Sequence, residues 1–159
     1  MGKILMAVDG TAGSTSVLSA YRTMARLPES VILVYVQQPG GKSMMVDELR
    51  EPEHKEASDR KAEEILDFCK QEIENSGPVS VKALVRDGVP SEEILKAARE
   101  EAVDLIIMGR SNKSAFQRLV AGCVTKEVER TARVPVLVAK TGGREKSITY
   151  GWRGESYAA

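Results

Sequence analysis

Five short apolar runs, separated by segments of helical spacing, constrain the fold of this chain more than any other feature. They lie at residues 4–8, 31–36, 79–85, 103–107 and 134–138. Four of them are continuous and rich in Val and Ile, which is typical of strands buried on both faces, whereas residues 79–85 alternate as a half-exposed strand does. The sequence therefore predicts five strands, of which the third is the least buried.

The segments between these runs carry apolar residues at helical spacing. Four apolar faces are predicted, comprising Val17, Leu18, Tyr21, Met24 and Ala25; Ala62, Ile65, Leu66, Cys69 and Ile73; Ile94, Leu95, Ala98 and Ala102; and Val120, Val124, Val128 and Ala132. Ser91, followed by Glu92 and Glu93, marks a helix start, and Gly77-Pro78 marks a helix end. Because strands alternate with helices, the sequence predicts a mostly parallel sheet with helices on both faces.

The charge balance bears on the partners that this chain can have. Its 159 residues are enough for one domain with its own core, and its 23 basic and 23 acidic side chains cancel. A neutral chain has little attraction for nucleic acid or a membrane surface, and no apolar run approaches the ~20 residues of a bilayer-spanning helix. Cys69 and Cys123 form no metal-type or redox-type pair, and the single His54 lies in a charged run. We therefore expect a cytoplasmic protein without a metal centre, a nucleic-acid partner or a membrane anchor.

The stretch after the fourth predicted strand has the pattern of an anion-binding loop. In MGRSNKSAFQRLVAGCVT, residues 108–125, a glycine turn follows the strand and a second glycine opens a helix. Glycine lets backbone come close to a ligand, and a helix start offers unpaired N–H groups and the positive end of the helix dipole. We therefore expect Gly109 and Gly122 to frame an anion cradle.

Two other segments are expected to meet this loop. Asp9-Gly10-Thr11 follows the first predicted strand, and Val36-Gln37-Gln38 follows the second. In open α/β sheets, ligands bind beyond the carboxyl ends of the strands, where the strand order reverses. The residues alone leave two interpretations of Asp9, a ligand contact or a cap of the following helix, and Ser14 is also a suitable cap.

Over residues 2–140 the chain resembles the universal stress protein family. KILMAVDGT is similar to that family's first strand and its carboxylate-bearing turn, VILVYV to its second strand, RDGVPSEEILKAAREEAVDLIIMGR to the unit from its third to its fourth strand, and VPVLVAK to its last strand. The resemblance implies a five-stranded parallel sheet of order 3-2-1-4-5 with helices on both faces, the adenine nucleotide alpha-hydrolase-like fold. It also implies a homodimer through the last strand, from Val134 to Ala139, and binding of ATP or AMP, although some members bind no nucleotide.

The resemblance further assigns roles to individual residues. It implies that Asp9 lies at the adenine or ribose, that the Val36 backbone faces the adenine edge, and that the phosphates lie between Gly109 and the helix start. The expected nucleotide site comprises Asp9, Gly10, Thr11, Val36, Met108, Gly109, Asn112, Lys113, Gly122, Cys123, Val124 and Thr125. Lys113 either screens phosphate charge or is a solvated loop cation. The nucleotide is expected to bind with or without Mg²⁺.

Two residues depart from the family's nucleotide-binding pattern of Gly, two residues, Gly, nine residues, then Gly-Ser or Gly-Thr. Asn112 replaces the middle glycine; it tolerates the left-handed conformation, but its amide either donates to a phosphate or blocks it. Cys123 replaces the hydroxyl residue, and it either fills a tight turn or carries a reactive thiol at a helix N-terminus. The cradle of N–H groups does not depend on the Cys123 side chain.

The expected function is that of a stress-response regulator that binds an adenine nucleotide at the ends of strands 1, 2 and 4. The alternative is a dimeric interaction protein of the same fold that has lost nucleotide binding. Catalysis is expected to be at most slow ATP hydrolysis, because no residue is an evident catalytic base. The sequence does not identify the protein partner of such a regulator.

The chain is expected to divide near residue 140. Residues 1–140 form the domain that resembles the family, and residues 141–159 form an extension with the only tryptophan of the chain. We expect Ile148, Tyr150 and Trp152 of this extension to dock on the domain or on a dimer partner.

Overall fold

The computed structural model of the protein describes residues 2–10, 12–37, 52–110, 123–140 and 147–149. Within them, six strands and four helices follow one another along the chain. The strands are β1 (Lys3–Ala7), β2 (Ser30–Gln37), β3 (Ser80–Asp87), β4 (Leu105–Arg110), β5 (Val136–Lys140) and β6 (Ser147–Thr149). The helices are α1 (Ala12–Arg22), α2 (Pro52–Glu74), α3 (Pro90–Glu100) and α4 (Cys123–Thr131).

The strands form one sheet in the order β3-β2-β1-β4-β5-β6. β1 lies at its centre, with Leu5 opposite Ile32 of β2 on one side and Ile106 of β4 on the other. The first five strands are parallel, which confirms the predicted five-stranded parallel sheet of order 3-2-1-4-5. Because the strand order reverses between β1 and β4, the carboxyl ends of β1, β2 and β4 lie together at the place where such sheets bind ligands.

Alternation along the central strands divides the core into two layers. Met6 of β1 packs toward α1 and α2, whereas its neighbour Leu5 packs toward α3 and α4. The buried helical residues include Val17, Leu18, Tyr21, Leu66, Cys69, Ile73, Ile94, Leu95, Ala98 and Val128. These confirm the predicted helical faces, except that Ala25 and Ala102 are exposed beyond the ends of α1 and α3, and Val120 lies outside the described residues.

β4 begins and ends later than the apolar run predicted. Val103 precedes the strand, and its N–H donates to the carbonyl of Ala98 at 3.1 Å, which closes the last turn of α3. At the other end the strand continues through Gly109, which pairs with Ala139 of β5. The prediction of a turn at Gly109 is therefore wrong, because β5 continues alongside and its hydrogen bonds keep the chain extended.

β6 is antiparallel to β5 and lies on its outer side. Thr149 is opposite Val136, Ile148 is opposite Leu137, and Ser147 is opposite Val138. The sequence did not predict this strand, because three residues are too few to show a periodic pattern. β6 therefore brings Ile148 beside the sheet, while Tyr150 and Trp152 lie outside the described residues.

Candidate functional site

The turn after β1 is organised by one hydroxyl group, that of Ser14 in the first turns of α1. Ser14 Oγ accepts hydrogen bonds from the N–H of Asp9 at 2.8 Å and from the N–H of Gly10 at 2.9 Å, and donates to Asp9 Oδ1 at 3.1 Å. A hydroxyl has one proton and two lone pairs, so its hydrogen-bonding capacity is fully used. Ser14 is buried, and its three bonds hold the carboxylate of Asp9 in place at the carboxyl end of β1.

Gly10 is required at this turn for two reasons. Its φ of +76° lies in the left-handed region, which side chains rarely adopt. A Cβ atom there would also lie 2.5 Å from Cδ1 of Ile65, because α2 crosses over the turn. The sequence prediction placed Gly10 in the ligand site, and the structure adds a packing role.

The backbone ladder between β1 and β2 stops beside this turn. The N–H of Val8 donates to the carbonyl of Val34 at 3.0 Å. The next rung would use the N–H of Gly10, which instead donates to Ser14. Because backbone groups alternate in direction along a strand, the N–H and C=O of Val36 face the same side as those of Val34. They therefore face the place where the ladder ends, beside Asp9.

Tyr35 contributes to the same region and was not predicted as a site residue. Burial raises the pKa of its phenol, and the charge of Asp9 raises it further, so the phenol lies within the electrostatic field of that carboxylate. The phenol therefore remains protonated at neutral pH and can donate a hydrogen bond. In the sequence Tyr35 lies within an apolar run, which gives no sign of this interaction.

The ends of β4 and α4 supply the third part of the region. Met108 is buried in β4, and Gly109 lies half-buried at its end. α4 begins at Cys123, one residue after Gly122, and Thr125 is buried in its first turn. That turn has no acidic side chain, so the positive end of its dipole is not neutralised from within the helix.

The structure thus brings Asp9, Gly10, Val36, Met108, Gly109 and the start of α4 to the carboxyl end of the sheet. Cys123 and Val124 are the first two residues of α4, and the remaining predicted site residues, Thr11, Asn112, Lys113 and Gly122, lie outside the described residues.

Buried polar residues mark the same end of the sheet. Those recorded in the described part of the chain are Ser14, Gln37, Ser91 and Thr125. Each ends a parallel strand or lies near the start of the helix that follows one. Gln37 is the last residue of β2. Its side-chain amide donates to Asp59 Oδ1 at 3.1 Å, and its backbone carbonyl accepts from the N–H of Gly88 at 3.0 Å. The sequence signal that could have identified this cluster is a polar residue at a position where the strand or helix faces the core.

A cavity of about 220 Å³ adjoins the turn after β1, between α1 and α2. Its walls include Gly10, Ser14, Thr15, Phe68 and Cys69. Burial raises the pKa of the Cys69 thiol to about 11, so the thiol is neutral at physiological pH and is not a reactive nucleophile.

The described residues contain no cluster of three or more His, Cys, Asp or Glu side chains suited to a metal ion. They also contain no helix that is both long enough and apolar enough to cross a membrane.

Comparison with known proteins gives one family. Its model, the universal stress protein family, matches residues 1–140. The universal stress protein of Methanothermobacter thermautotrophicus is 32% identical over 112 residues, which are 70% of this chain and 76% of the relative. Universal stress protein MJ0577 of Methanocaldococcus jannaschii is 38% identical over 90 residues, which are 57% of this chain and 55% of the relative, so the match spans about half the length of that protein.

Solved structures share the fold. The structure of MJ0577 superimposes with a TM-score of 0.71 at 29% identity, over 89% of this chain and 97% of the other. Two proteins at lower identity share the fold alone. A universal stress protein from Archaeoglobus fulgidus in complex with dAMP superimposes with a TM-score of 0.62 at 22% identity, over 88% of this chain and 98% of the other. A universal stress protein family protein from Arabidopsis thaliana with AMP bound superimposes with a TM-score of 0.61 at 17% identity, over 91% of this chain and 95% of the other. Since the family model covers nearly all of the parallel sheet and its helices, the chain belongs to the universal stress protein family.

Proposed function

We propose that this protein is a cytoplasmic stress-response regulator that binds ATP or AMP at the carboxyl ends of β1, β2 and β4. The observation that carries the proposal is the interrupted ladder: Gly10 N–H donates to Ser14 instead of to β2, so the backbone of Val36 faces the end of the ladder beside the fixed carboxylate of Asp9. Backbone N–H and C=O groups require partners, and the adenine edge offers an acceptor and a donor side by side. The dAMP and AMP complexes of proteins with this fold support the choice of ligand.

The nucleoside half of the proposed site rests on Asp9. A carboxylate accepts several hydrogen bonds, so Asp9 accepts from the ribose hydroxyls in addition to Ser14. Burial and the charge of Asp9 raise the pKa of the Tyr35 phenol, so it keeps its proton at neutral pH. This half of the site is formed by β1, β2 and the start of α1.

The phosphate half rests on the start of α4. N–H groups of Cys123, Val124 and Thr125 lie in the first turn of the helix, where an anion is favoured by the unpaired donors and the dipole. Gly109 leaves room for the phosphates because it has no side chain. Asn112, Lys113 and Gly122 complete the proposed loop, and Mg²⁺ accompanies the phosphates when the ligand is ATP.

The second candidate is a dimeric interaction protein of the same fold without nucleotide. Four of the five residues of β5 are apolar and buried, so no exposed charged side chain at these positions opposes pairing of the backbone edge of this strand with a second copy. A homodimer through the last parallel strand, from Val134 to Ala139, belongs to this proposal. Because β6 occupies the outer side of β5, pairing of two copies at that strand requires β6 to leave.

Calorimetric titration of nucleotide-free protein with ATP and with AMP, with and without Mg²⁺, tests the first proposal. Asp9→Asn is expected to weaken binding about tenfold or more, because a hydrogen bond to a charged group contributes about 1.5–3 kcal/mol. Asp67→Asn is the matched control, since it removes the same charge from an exposed position on α2, and its affinity is expected to equal that of the wild type.

Absence of heat at millimolar ATP and AMP contradicts nucleotide binding and favours the interaction protein. The double variant Asn112→Gly with Cys123→Ser then identifies the cause. If that variant alone binds, the two departures from the family pattern had closed the site.

A further inference from the structure

A second cavity lies at the opposite end of the sheet from Asp9. Its volume is about 180 Å³, and it opens between α3 and α4 where the chain enters β4 and β5. Its floor and walls are mainly apolar and include Leu95, Ala98, Val103, Ala132 and Val134. An apolar cavity of about 150 Å³ holds an aromatic ring such as benzene, so this one has room for an aromatic side chain.

Two arginines, Arg99 and Arg133, lie at the rim of this cavity. Neighbouring basic side chains are engaged elsewhere, since Arg86 pairs with Glu100 and Arg130 with Glu127. Arg99 and Arg133 have no ion pair within the described part of the chain. The rim therefore attracts a partner that combines an apolar group with a negative charge.

The direction of β6 brings a specific segment to this cavity. β6 is antiparallel to β5, so the chain leaves Thr149 at the amino end of β5. Thr149 is opposite Val136, the first residue of β5. Val134, two residues before Val136, lines the cavity. An extended chain advances about 3.3 Å per residue, so the three residues from Thr149 to Trp152 can span about 10 Å.

The composition of residues 150–159 matches what the cavity accepts. In ten residues the segment holds the only tryptophan of the chain and two of its four tyrosines. Glu155 is its only acidic residue and follows Trp152 by three positions. An aromatic side chain for the cavity and a carboxylate for its arginine rim are therefore present within one short stretch.

We propose that residues 150–159 fill this cavity in the same chain, with the indole of Trp152 as the anchor and Glu155 at the arginine rim. β6 is paired within its own chain, which tethers the segment at the mouth of the cavity and gives it a high effective concentration there. The segment then closes the sheet at its amino end, far from the proposed nucleotide site. This inference is independent of the proposed function.

Fluorescence of Trp152 tests the inference directly, because no other tryptophan contributes to the signal. In the full chain we expect emission at a shorter wavelength than in the unfolded protein. We also expect collisional quenching by acrylamide, a neutral probe, to be several-fold weaker than after unfolding in guanidinium. Equal quenching in the folded and unfolded protein would overturn the inference.

A cavity-filling variant locates the contact. Ala98→Leu places a larger side chain in the cavity and is expected to raise quenching of Trp152 several-fold toward the unfolded level. Thr15→Leu is the matched control, since it fills the cavity between α1 and α2 and is expected to leave Trp152 protected. A folded Ala98→Leu protein, verified by circular dichroism, with unchanged quenching contradicts the assignment to this cavity.

Charge reversal at the rim keeps the test valid even if Ala98→Leu does not fold. Arg133→Glu is expected to raise the quenching of Trp152, and the added substitution Glu155→Arg is expected to restore the protection. No response to either substitution contradicts the rim contact. A dilution series distinguishes docking within one chain from docking between two copies. Protection of Trp152 that disappears on dilution assigns the cavity to the segment of a second copy and overturns docking within one chain.

Discussion

β3 and β5 lie at the two edges of the parallel sheet, and their side chains differ in kind. β3 buries none of its residues fully and carries Lys82 and Arg86, which pair with Glu101 and Glu100 of α3. β5 buries four of its five residues. An unpaired strand edge can pair with another chain, and charged side chains on the edge discourage this. β3 therefore carries its own protection, whereas β5 depends on another segment.

That other segment is β6, which lies outside the part of the chain that matches the family. The match to the family ends at residue 140, whereas β6 begins at Ser147. One edge is thus protected by charges within the family domain and the other by residues beyond it. The extension after residue 140 is therefore the part of the chain that most directly controls whether β5 can meet another molecule.

The largest expected effect comes from matched substitutions in the two strands. Val138→Ala in β5 is expected to lower the free energy of unfolding by about 2 kcal/mol, because it removes buried methyl groups and leaves a cavity. Val85→Ala in β3 is expected to cost less than about 0.5 kcal/mol, since that side chain is 42% exposed and Val138 only 3%. Denaturant unfolding measures both, and equal losses would contradict the comparison.

The next effect concerns the cover of β5. Deleting residues 141–159 removes the three residue pairs between β5 and β6, which at about 0.2–1 kcal/mol each amounts to about 0.6–3 kcal/mol of unfolding free energy. It also exposes an apolar strand, so self-association that rises with concentration is expected in sedimentation experiments.

Deletion of residues 150–159 alone is the control for that experiment, because it keeps β6 in the chain. Its oligomeric state is expected to match that of the full chain. If the longer deletion does not increase self-association, β6 is not the feature that protects this edge.

The smallest effect is electrostatic and lies at β3. The hydrogen bond from Lys82, at 2.6 Å, holds the pKa of the Glu101 carboxyl below its usual value of 4.5, and the charges of Lys82, Lys3 and Arg86 act in the same direction. A carboxyl with a lowered pKa in the folded state stabilises the fold above its unfolded pKa, and this contribution is lost as the pH falls through the folded pKa.

Lys82→Gln is therefore expected to raise the pKa of Glu101 toward its usual value and to make stability fall less steeply below about pH 4. NMR titration of the side-chain carboxyls measures the first change, and unfolding at a series of pH values the second. Glu127 is the internal control, since its lowered pKa depends on Arg130 and should not respond. An unchanged Glu101 titration would show that the pair at β3 is not formed in solution.

The parallel sheet was predictable because its central strands are apolar over most of their length. The runs at residues 4–8 and 31–36 are buried on both faces, and no turn residue interrupts them. The end of β4 was not predictable in the same way. Gly109 is extended because β5 happens to continue beside it, which is a tertiary contact rather than a local preference. β6 was missed since its three residues carry no period of their own.

The candidate site was predictable where it depends on position along the strands. Asp9 and Gly10 follow one apolar run and Val36 ends another, so parallel topology alone brings them to one end of the sheet. The role of Ser14 was not predictable, because its partners depend on how the turn folds back toward α1. Tyr35 was hidden inside an apolar run, and only the effect of the Asp9 charge on its phenol distinguishes it from a core residue.

The three hydrogen bonds of Ser14 have a consequence for how a ligand arrives. They form when α1 packs against β1, so the rotamer of Asp9 is selected during folding. Ordering a free side chain on binding costs about 0.5–1.5 kcal/mol, and here that entropy has been lost beforehand. Association at Asp9 is therefore expected to resemble docking to a rigid template, with little induced fit at this side chain.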